Sequence, residues 1–404
     1  MINRHVLPEI KKSLKMFPCV LLIGGRQIGK STILKQLHDE QLINEIYTLD
    51  SLSVLESLAN DCEGFLQRTP FPVAFDEIQR YPKMMLAIKK IIDEQKRPGM
   101  FVLTGSANIL SYPHFQESLA GRCDIITVEG LSTSEVLKRP AKHLIKQLFD
   151  AKTISDFKPD CFGDMNLINT GIFYGSYPEV RLNEEEYFRS KWFNTYEMAY
   201  IERDVRDFTK SIDIIGFGKV FKLLALQAGG LLNYHHLSVE SGIDHRMIKR
   251  YIEILTITFQ MTLLQPYYAS ARTRLVKSPK VYMNDVGHAC YQQGIQSMDQ
   301  ESNGHLLETW LFSELRKAMT LETNVEIYFY RTTKGKEVDF VLKRGTALRA
   351  IECKSKVTIT TKDISGLHDF LSEHKEALGF VFYKGNQLLP MADRILAVPM
   401  TYLF

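Results

Sequence analysis

The chain is short of several things, and each shortage closes off a class of protein. Its six cysteines are scattered at 19, 62, 123, 161, 290 and 353, with no CxxC pair among them. Such spacing supports neither a disulfide framework nor a cysteine-ligated zinc site, and it suits thiols kept in a reducing compartment. Apolar runs are brief, and none approaches the ~18 consecutive residues of a membrane-spanning helix. The opening Met1-Ile2-Asn3-Arg4-His5 lacks the apolar centre of a secretory signal. These absences predict a cytoplasmic protein with no membrane partner. Net charge is only +3, so a nucleic-acid partner must be argued from where the charge lies, not from its total.

What is present is the mix of a globular protein with real cores: 45% hydrophobic and 24% charged residues. A chain of 404 residues is long enough for two or three domains.

The most informative stretch begins at Val20-Leu21-Leu22-Ile23, an apolar run that reads as a buried strand. It leads directly into Gly24-x-x-x-x-Gly29-Lys30-Ser31, and Thr32-Ile33-Leu34 then opens a helical pattern. Strand, glycine-rich loop and helix in that order form a phosphate-binding loop. The glycines let backbone N–H groups of Gly24, Gly25, Arg26, Gln27, Ile28 and Gly29 turn inward on a phosphate chain. The helix that starts with Lys30, Ser31 and Thr32 adds its positive end. Lys30 is expected to reach the β- and γ-phosphates, and the Ser31 hydroxyl to ligate Mg²⁺. ATP and Mg²⁺ are the expected cofactors.

Beyond a second apolar strand, Ile46-Tyr47-Thr48-Leu49-Asp50, lies Phe71-Pro72-Val73-Ala74-Phe75-Asp76-Glu77, another apolar strand that ends in two acids, with Asp76 46 residues beyond Lys30. In the Walker B arrangement the first acid holds the metal and the second polarises the attacking water. Asp76 is therefore assigned to Mg²⁺ and Glu77 to the general base. An acid in the base position favours hydrolysis over transfer to a small-molecule acceptor.

A further strand, Met100 to Leu103, ends in Thr104-Gly105-Ser106-Ala107-Asn108. Thr104 and Ser106, with Asn108, are candidates for sensing the γ-phosphate; each is equally well read as a helix cap. Arg122 precedes the apolar run Ile125 to Val128. It stands either as an arginine that offsets transition-state charge, in cis or across a subunit interface, or as a surface salt bridge.

Gly-Arg-Gln-Ile-Gly-Lys-Ser, Phe-Asp-Glu-Ile-Gln, Leu-Thr-Gly-Ser and Leu-Ala-Gly-Arg together resemble the AAA-type ATPases of bacteria and archaea that end in a nuclease-like domain. The resemblance continues through Gly175-Ser176-Tyr177-Pro178-Glu179 and Glu202-Arg203-Asp204-Val205. It resumes at Ser278-Pro279-Lys280-Val281-Tyr282, Asp285-x-Gly287 and Glu337-Val338-Asp339-Phe340, and so spans nearly the whole chain. It implies an α/β architecture in three parts: a P-loop AAA-type ATPase domain at 1–138, a helical and winged-helix domain at 139–290, and a restriction-nuclease-like α/β domain at 291–404.

In the middle part, residues 183–208 read as a long helix carrying the charge cluster 202–207, in which Arg203 or Arg206 is either solvated or directed at a nucleotide or partner subunit. A short helix near His236, a turn at Gly242 and a helix burying Ile248, Tyr251, Ile252 and Leu255 make a helix-turn-helix pattern. Phe259 to Tyr267 supplies candidate wing strands. Between Ser241 and Lys280 there are seven Lys/Arg against two acids, a balance compatible with DNA.

In the last part, an acid at Asp339 on one strand and Glu352-x-Lys354 on the next resemble the core of the PD-(D/E)xK nuclease fold. Alternation places Glu352 and Lys354 on one face of their strand. The resemblance implies that Asp339 and Glu352 hold a divalent metal while Lys354 supports the nucleophilic water. Glu308 on the preceding helix is a further candidate ligand. Eight Lys/Arg against three acids between Arg331 and Val357 suit a phosphate backbone. Two functions follow: an ATPase coupled to a DNA transaction, with or without cleavage, or an ATP-dependent switch whose C-terminal modules bind protein. A homo-oligomer is compatible with either.

Overall fold

The computed structural model describes residues 2–106, 120–158, 163–200, 205, 212–268, 277–298, 304–332 and 335–404. The chain divides into two compact units, 1–130 with 257–259, and 131–256 with 260–404.

The first unit is a five-stranded sheet in the order β2-β3-β4-β1-β5, with β1 Cys19–Ile23, β2 Glu45–Thr48, β3 Val73–Asp76, β4 Phe101–Gly105 and β5 Cys123–Thr127. Every pairing is parallel. Parallel neighbours need long crossovers, and helices Lys30–Asp39, Leu52–Arg68 and Met84–Gln95 lie between the strands in sequence. Strands β1, β3 and β4 are buried along their whole length, which is why they read as unbroken apolar runs and not as alternating ones. Edge strand β2 alternates between half-buried and exposed positions. The register sets Ile23 beside Gly105 and Thr48 beside Asp76, so β1, β3 and β4 deliver their last residues to one edge of the sheet. Leu21, Phe75, Phe101, Leu103 and Ile88 form the core below it, and Phe259 packs against that core.

The second unit begins with helices and ends in a sheet. Helix Tyr234–Ser241 stops at Gly242, whose φ of 75° is the left-handed C-terminal geometry glycine tolerates. Helix His245–Ile257 buries Ile248, Tyr251, Ile252 and Leu255, as its 3.6-residue spacing predicts. The wing expectation needs correction: 259–267 holds one strand, β6 Met261–Leu264, and its antiparallel partner is β7 Lys280–Met283. Strand β7 is buried throughout. Lys280, counted among the basic residues suited to DNA, is only 3% exposed and so unavailable to it. Arg272, Arg274 and the charge cluster 202–207, apart from Val205, lie outside the described residues; the helix expected at 183–208 is described from Glu186 to Tyr200.

The final sheet has the order β12-β13-β11-β10-β9-β8, from β8 Glu326–Arg331, β9 Glu337–Arg344, β10 Ala347–Lys354, β11 Leu378–Tyr383, β12 Leu389–Ala392 and β13 Ile395–Pro399. Strands β9 and β10 are an antiparallel hairpin, and β11 then joins β10 in parallel. The crossover between them contains helix Ser365–Glu373, whose Leu367 and Phe370 pack on Val338, Val341 and Ala350. Apart from residues 257–259, the stretches expected as middle and C-terminal domains fall inside this one unit. Helix Gly304–Met319 stacks Phe312 on Tyr282 of β7 at 4.3 Å between ring centroids, and Phe312 reaches Phe340 of β9 at 5.8 Å.

Two segments recognisable in sequence but unexplained there turn out to be one clasp. The Asp285 carboxylate accepts hydrogen bonds from the Ser176 N–H (2.7 Å), the Ser176 hydroxyl (2.7 Å) and the His288 N–H (2.7 Å). A Cβ on Gly287 would stand 2.5 Å from the Gly175 nitrogen. Backbone therefore meets backbone, and no side chain fits between them.

Candidate nucleotide site

Lys30 is buried although charged, and its ammonium donates to the carbonyl oxygens of Gly24 (2.9 Å) and Gly25 (2.6 Å). These contacts bend the loop around the lysine. A Cβ on Gly24 would collide with the Val128 carbonyl oxygen, which fixes glycine there. Gly29 caps the helix at φ 100°. The loop is also braced from a distance by a residue the sequence gave no cause to single out. Arg4, 6% exposed, donates to the carbonyl oxygens of Ile28 (2.8 Å), Glu129 (2.6 Å) and Gly130 (3.3 Å).

Ser31 opens the helix and its hydroxyl donates to Asp76 Oδ2 at 2.7 Å. The other Asp76 oxygen accepts from the Thr104 hydroxyl, and that hydroxyl oxygen in turn accepts from the Glu77 N–H at 3.1 Å. Thus β1, β3 and β4 converge through Ser31, Asp76, Glu77 and Thr104. A hydroxyl and a carboxylate facing each other are the hard oxygen donors that suit Mg²⁺, so the residues present fit that ion. Glu77 adopts φ 61° and ψ 49°, a left-handed conformation uncommon for a residue with a Cβ. Its carboxylate accepts from the Gln79 amide, which also donates to Ser106 Oγ at 2.8 Å. Gln79 is thus the link between the two candidate groups. Arg26 and Gln27 belong to the loop's outer turn, and Thr32 is exposed on the first turn of the helix.

Arg122 is placed elsewhere. Its backbone carbonyl pairs with the Cys19 N–H at the start of β1, so it stands at the opposite edge of the sheet from the loop. Five residues of strand separate the edges, about 16 Å at ~3.3 Å per residue. Its guanidinium makes a two-pronged ion pair with Asp93, at 2.6 and 2.9 Å. A role in cis at the γ-phosphate is thereby corrected: sequence proximity to the motifs does not reveal which end of a strand a residue occupies.

In the second unit, Asp339, Glu352, Lys354 and Glu308 are brought together. The paired register of β9 and β10 ends at Ile351 beside Phe340, and the next free N–H, of Cys353, donates to Asp339 Oδ2 at 2.8 Å. Lys354 donates to Glu352 Oε1 at 2.5 Å, as alternation predicts. Glu308 accepts from the Tyr282 hydroxyl and from Lys280 at 2.9 Å. Burial and the neighbouring Glu308 push the Asp339 carboxyl up to about 7; burial and Asp339 push Glu352 up to about 8. Burial disfavours the Lys280 ammonium, but Glu308, Asp339 and Glu337 outweigh it and hold that charge more firmly than usual. Among the described residues no group of three or more His, Cys, Asp or Glu stands so as to hold a metal ion.

No helix among the described residues is long and apolar enough to cross a membrane. Residues 16–137 match the model of an AAA domain. Residues 165–299 and 303–403 each match a domain of unknown function, DUF8612 and DUF4143. The chain is similar to the uncharacterized protein Rv2008c of Mycobacterium tuberculosis, 23% identical over 98% of this chain and 83% of that one. It is also similar to the uncharacterized protein MJ1544 of Methanocaldococcus jannaschii, 24% identical over 80% of this chain and 71% of that one. Among solved structures, the Walker-type ATPase PABY2304 of Pyrococcus abyssi aligns at 13% identity and a TM-score of 0.46, covering 72% of this chain and 96% of that one. The AMPPCP-bound DnaA of Aquifex aeolicus aligns at 11% identity and 0.30, covering 62% and 85%. The N-terminal unit is an AAA-type P-loop domain of the kind found in ATPases.

Proposed function

We propose that the protein binds ATP with Mg²⁺ and hydrolyses it, and that the second unit couples hydrolysis to a DNA transaction. The observation that carries the first half is the hydrogen-bonded line Ser31–Asp76–Thr104–Glu77, with Lys30 beside it. The loop N–H groups and Lys30 bind and orient the phosphates. Ser31 and Asp76 would hold Mg²⁺, which offsets charge on the departing diphosphate. Glu77, held by Gln79, accepts the proton of a water as its oxygen attacks the γ-phosphorus. The bond from that phosphorus to the β–γ bridging oxygen breaks, giving ADP and inorganic phosphate. Thr104 keeps the Glu77 backbone in register with Asp76, and Ser106 keeps Gln79 in place.

Support for DNA lies in helix His245–Ile257. Arg246, Lys249 and Arg250 are all exposed, and their spacing sets them on one face opposite the buried one. With helix Tyr234–Ser241 and the β6–β7 pair, this is the order of a winged helix. The order of helix Gly304–Met319, hairpin strands, helix Ser365–Glu373 and β11 supports a nuclease-like fold at 291–404. A homo-oligomer, in which Arg122 would act across a subunit interface, belongs to the same proposal.

The test is ATP turnover with and without DNA, comparing the unaltered protein, Glu77→Gln, and a Lys249→Glu/Arg250→Glu double variant. The expected result is stimulation by DNA that weakens with salt, disappears in the double variant, and is absent with all turnover in Glu77→Gln. Turnover untouched by DNA at every salt concentration refutes the coupling and favours the second reading, a switch whose later modules bind protein.

A further inference from the structure

The Asp339, Glu352, Lys354 and Glu308 constellation implies a divalent metal, and the side chains around it test whether one fits. Lys280 enters from β7, a strand outside the hairpin that carries the pattern. Its ammonium lies 2.9 Å from Glu308 Oε1 and 3.9 Å from Asp339 Oδ1, and it is ion-paired with Glu337. Glu337 and Asp339 are alternate residues of β9, so both point to the face where Lys280 sits. Three carboxylate oxygens also meet other protein donors, while Glu352 Oε2 is buried without a hydrogen-bond partner. Cys353 N–H takes Asp339 Oδ2, Lys354 takes Glu352 Oε1, and the Tyr282 hydroxyl shares Glu308 Oε1 with Lys280. Lys280 is 3% exposed, so its charge is not a surface accident. An ammonium is buried only where anions surround it.

We propose that Lys280 is the resident cation of this cluster: its ammonium takes the place among Glu308, Glu337 and Asp339 that a divalent ion would need. Lys280 and Lys354 offset part of the carboxylate charge of the nuclease-like pattern from within the chain. The C-terminal sheet then works as a binding and bracing module that needs no metal, and phosphodiester hydrolysis by a metal-bound water does not occur there. This stands apart from the ATPase reading, because it concerns residues of the second unit alone and is measured without nucleotide.

The experiment uses the full chain, free of nucleotide, with Mn²⁺ as the probe. Binding is followed by titration calorimetry and by the electron paramagnetic resonance signal of free Mn²⁺. Fe²⁺ with ascorbate then cuts the backbone beside any bound iron, and mass spectrometry locates the cuts. The unaltered protein is expected to show no saturable Mn²⁺ binding that Asp339→Asn removes, and no cuts around 339 and 352. Lys280→Ser, which withdraws the ammonium and opens space, is expected to gain one Mn²⁺ per chain and cuts at those positions; Lys280→Arg is expected to gain neither. Cuts near Asp76 would report the nucleotide site and are separable by position. Mn²⁺ binding to the unaltered protein that Asp339→Asn or Glu352→Gln abolishes overturns the proposal. That arm needs no variant of Lys280 to fold. A folded Lys280→Ser that binds no Mn²⁺ overturns it too.

Discussion

Glu77 holds a left-handed backbone, φ 61° and ψ 49°, at the end of β3, and that conformation permits a test separating strain from chemistry. A residue with a Cβ pays about 1–2 kcal/mol in this region. Glycine escapes that cost but gives the unfolded chain more freedom, which returns about 0.4–1 kcal/mol. Glu77→Gly should therefore be more stable than Glu77→Ala by about 0.5–1 kcal/mol. The comparison is clean, because both variants lose the carboxylate that Gln79 holds and both keep the N–H that donates to Thr104. In a domain of this size the difference corresponds to roughly 2–4 °C in the first unit's melting temperature. Differential scanning calorimetry without nucleotide measures it. Turnover should fall in both variants by about 10²–10⁴-fold, the usual worth of a positioned base, while ATP still raises the melting temperature. A glycine variant no more stable than the alanine one would show that the backbone is unstrained. Turnover surviving in both would remove Glu77 as the base.

Arg4→Ala leaves two buried carbonyls and one part-buried carbonyl without this donor; each buried one costs about 1–3 kcal/mol, so ATP affinity by fluorescence titration should fall about tenfold or more, while Arg4→Lys recovers part of it. Arg122→Ala breaks a solvent-screened pair with Asp93 and should leave stability almost unchanged. Its turnover is the informative readout: loss that depends on protein concentration would point to action across subunits. Arg189 is fully buried, donating to the carbonyls of Phe173 (2.6 Å), Gly287 (3.2 Å) and Ile295 (3.2 Å). Arg189→Leu should lower the second unit's stability by about 3–5 kcal/mol in urea titration, with the first unit's transition unmoved. His374 packs against the rings of Phe370 and Tyr267, and burial holds its imidazole below the usual value. A folded-state value below the unfolded one means stability present above the unfolded value and lost as pH falls through the folded one. Urea midpoints should therefore drop between about pH 7 and pH 5, and less in His374→Phe than in the unaltered protein.

How far the molecule could be read in advance depended on how local each feature is. The loop from Gly24 to Thr32 and the strand ending at Asp76 each carry their functional groups within one short stretch, so pattern and chemistry coincide even though Arg4 and Val128 complete the loop's setting. The same holds for the β9–β10 hairpin, where alternation placed Lys354 on Glu352. Arg4 was illegible because its partners lie 24 and 125 residues away. Arg122 misled because a motif's position in the chain says nothing of which sheet edge it reaches. Lys280 looked like one more surface base among 241–280; only the fold brings residues 308, 337 and 339 around it. Gly175 and Gly287 were recognisable as signatures, yet their reason is a contact that no window of sequence contains.

That contact also dictates an order of events at the ribosome. Ser176 and its acceptor Asp285 are 109 residues apart, and at roughly 5–20 residues per second synthesis takes about 5–20 s to cross that gap. Through that interval Ser176 and Arg189 have emerged without the Asp285 carboxylate and the Gly287 carbonyl they close upon. The first unit's sheet is complete in the nascent chain after Thr127, yet Phe259, which packs on its core, arrives far later. A growing chain of this protein therefore spends much of its synthesis with both units unfinished: residues 257–259 complete the first, and the second waits for the sheet that ends with Ile395–Pro399.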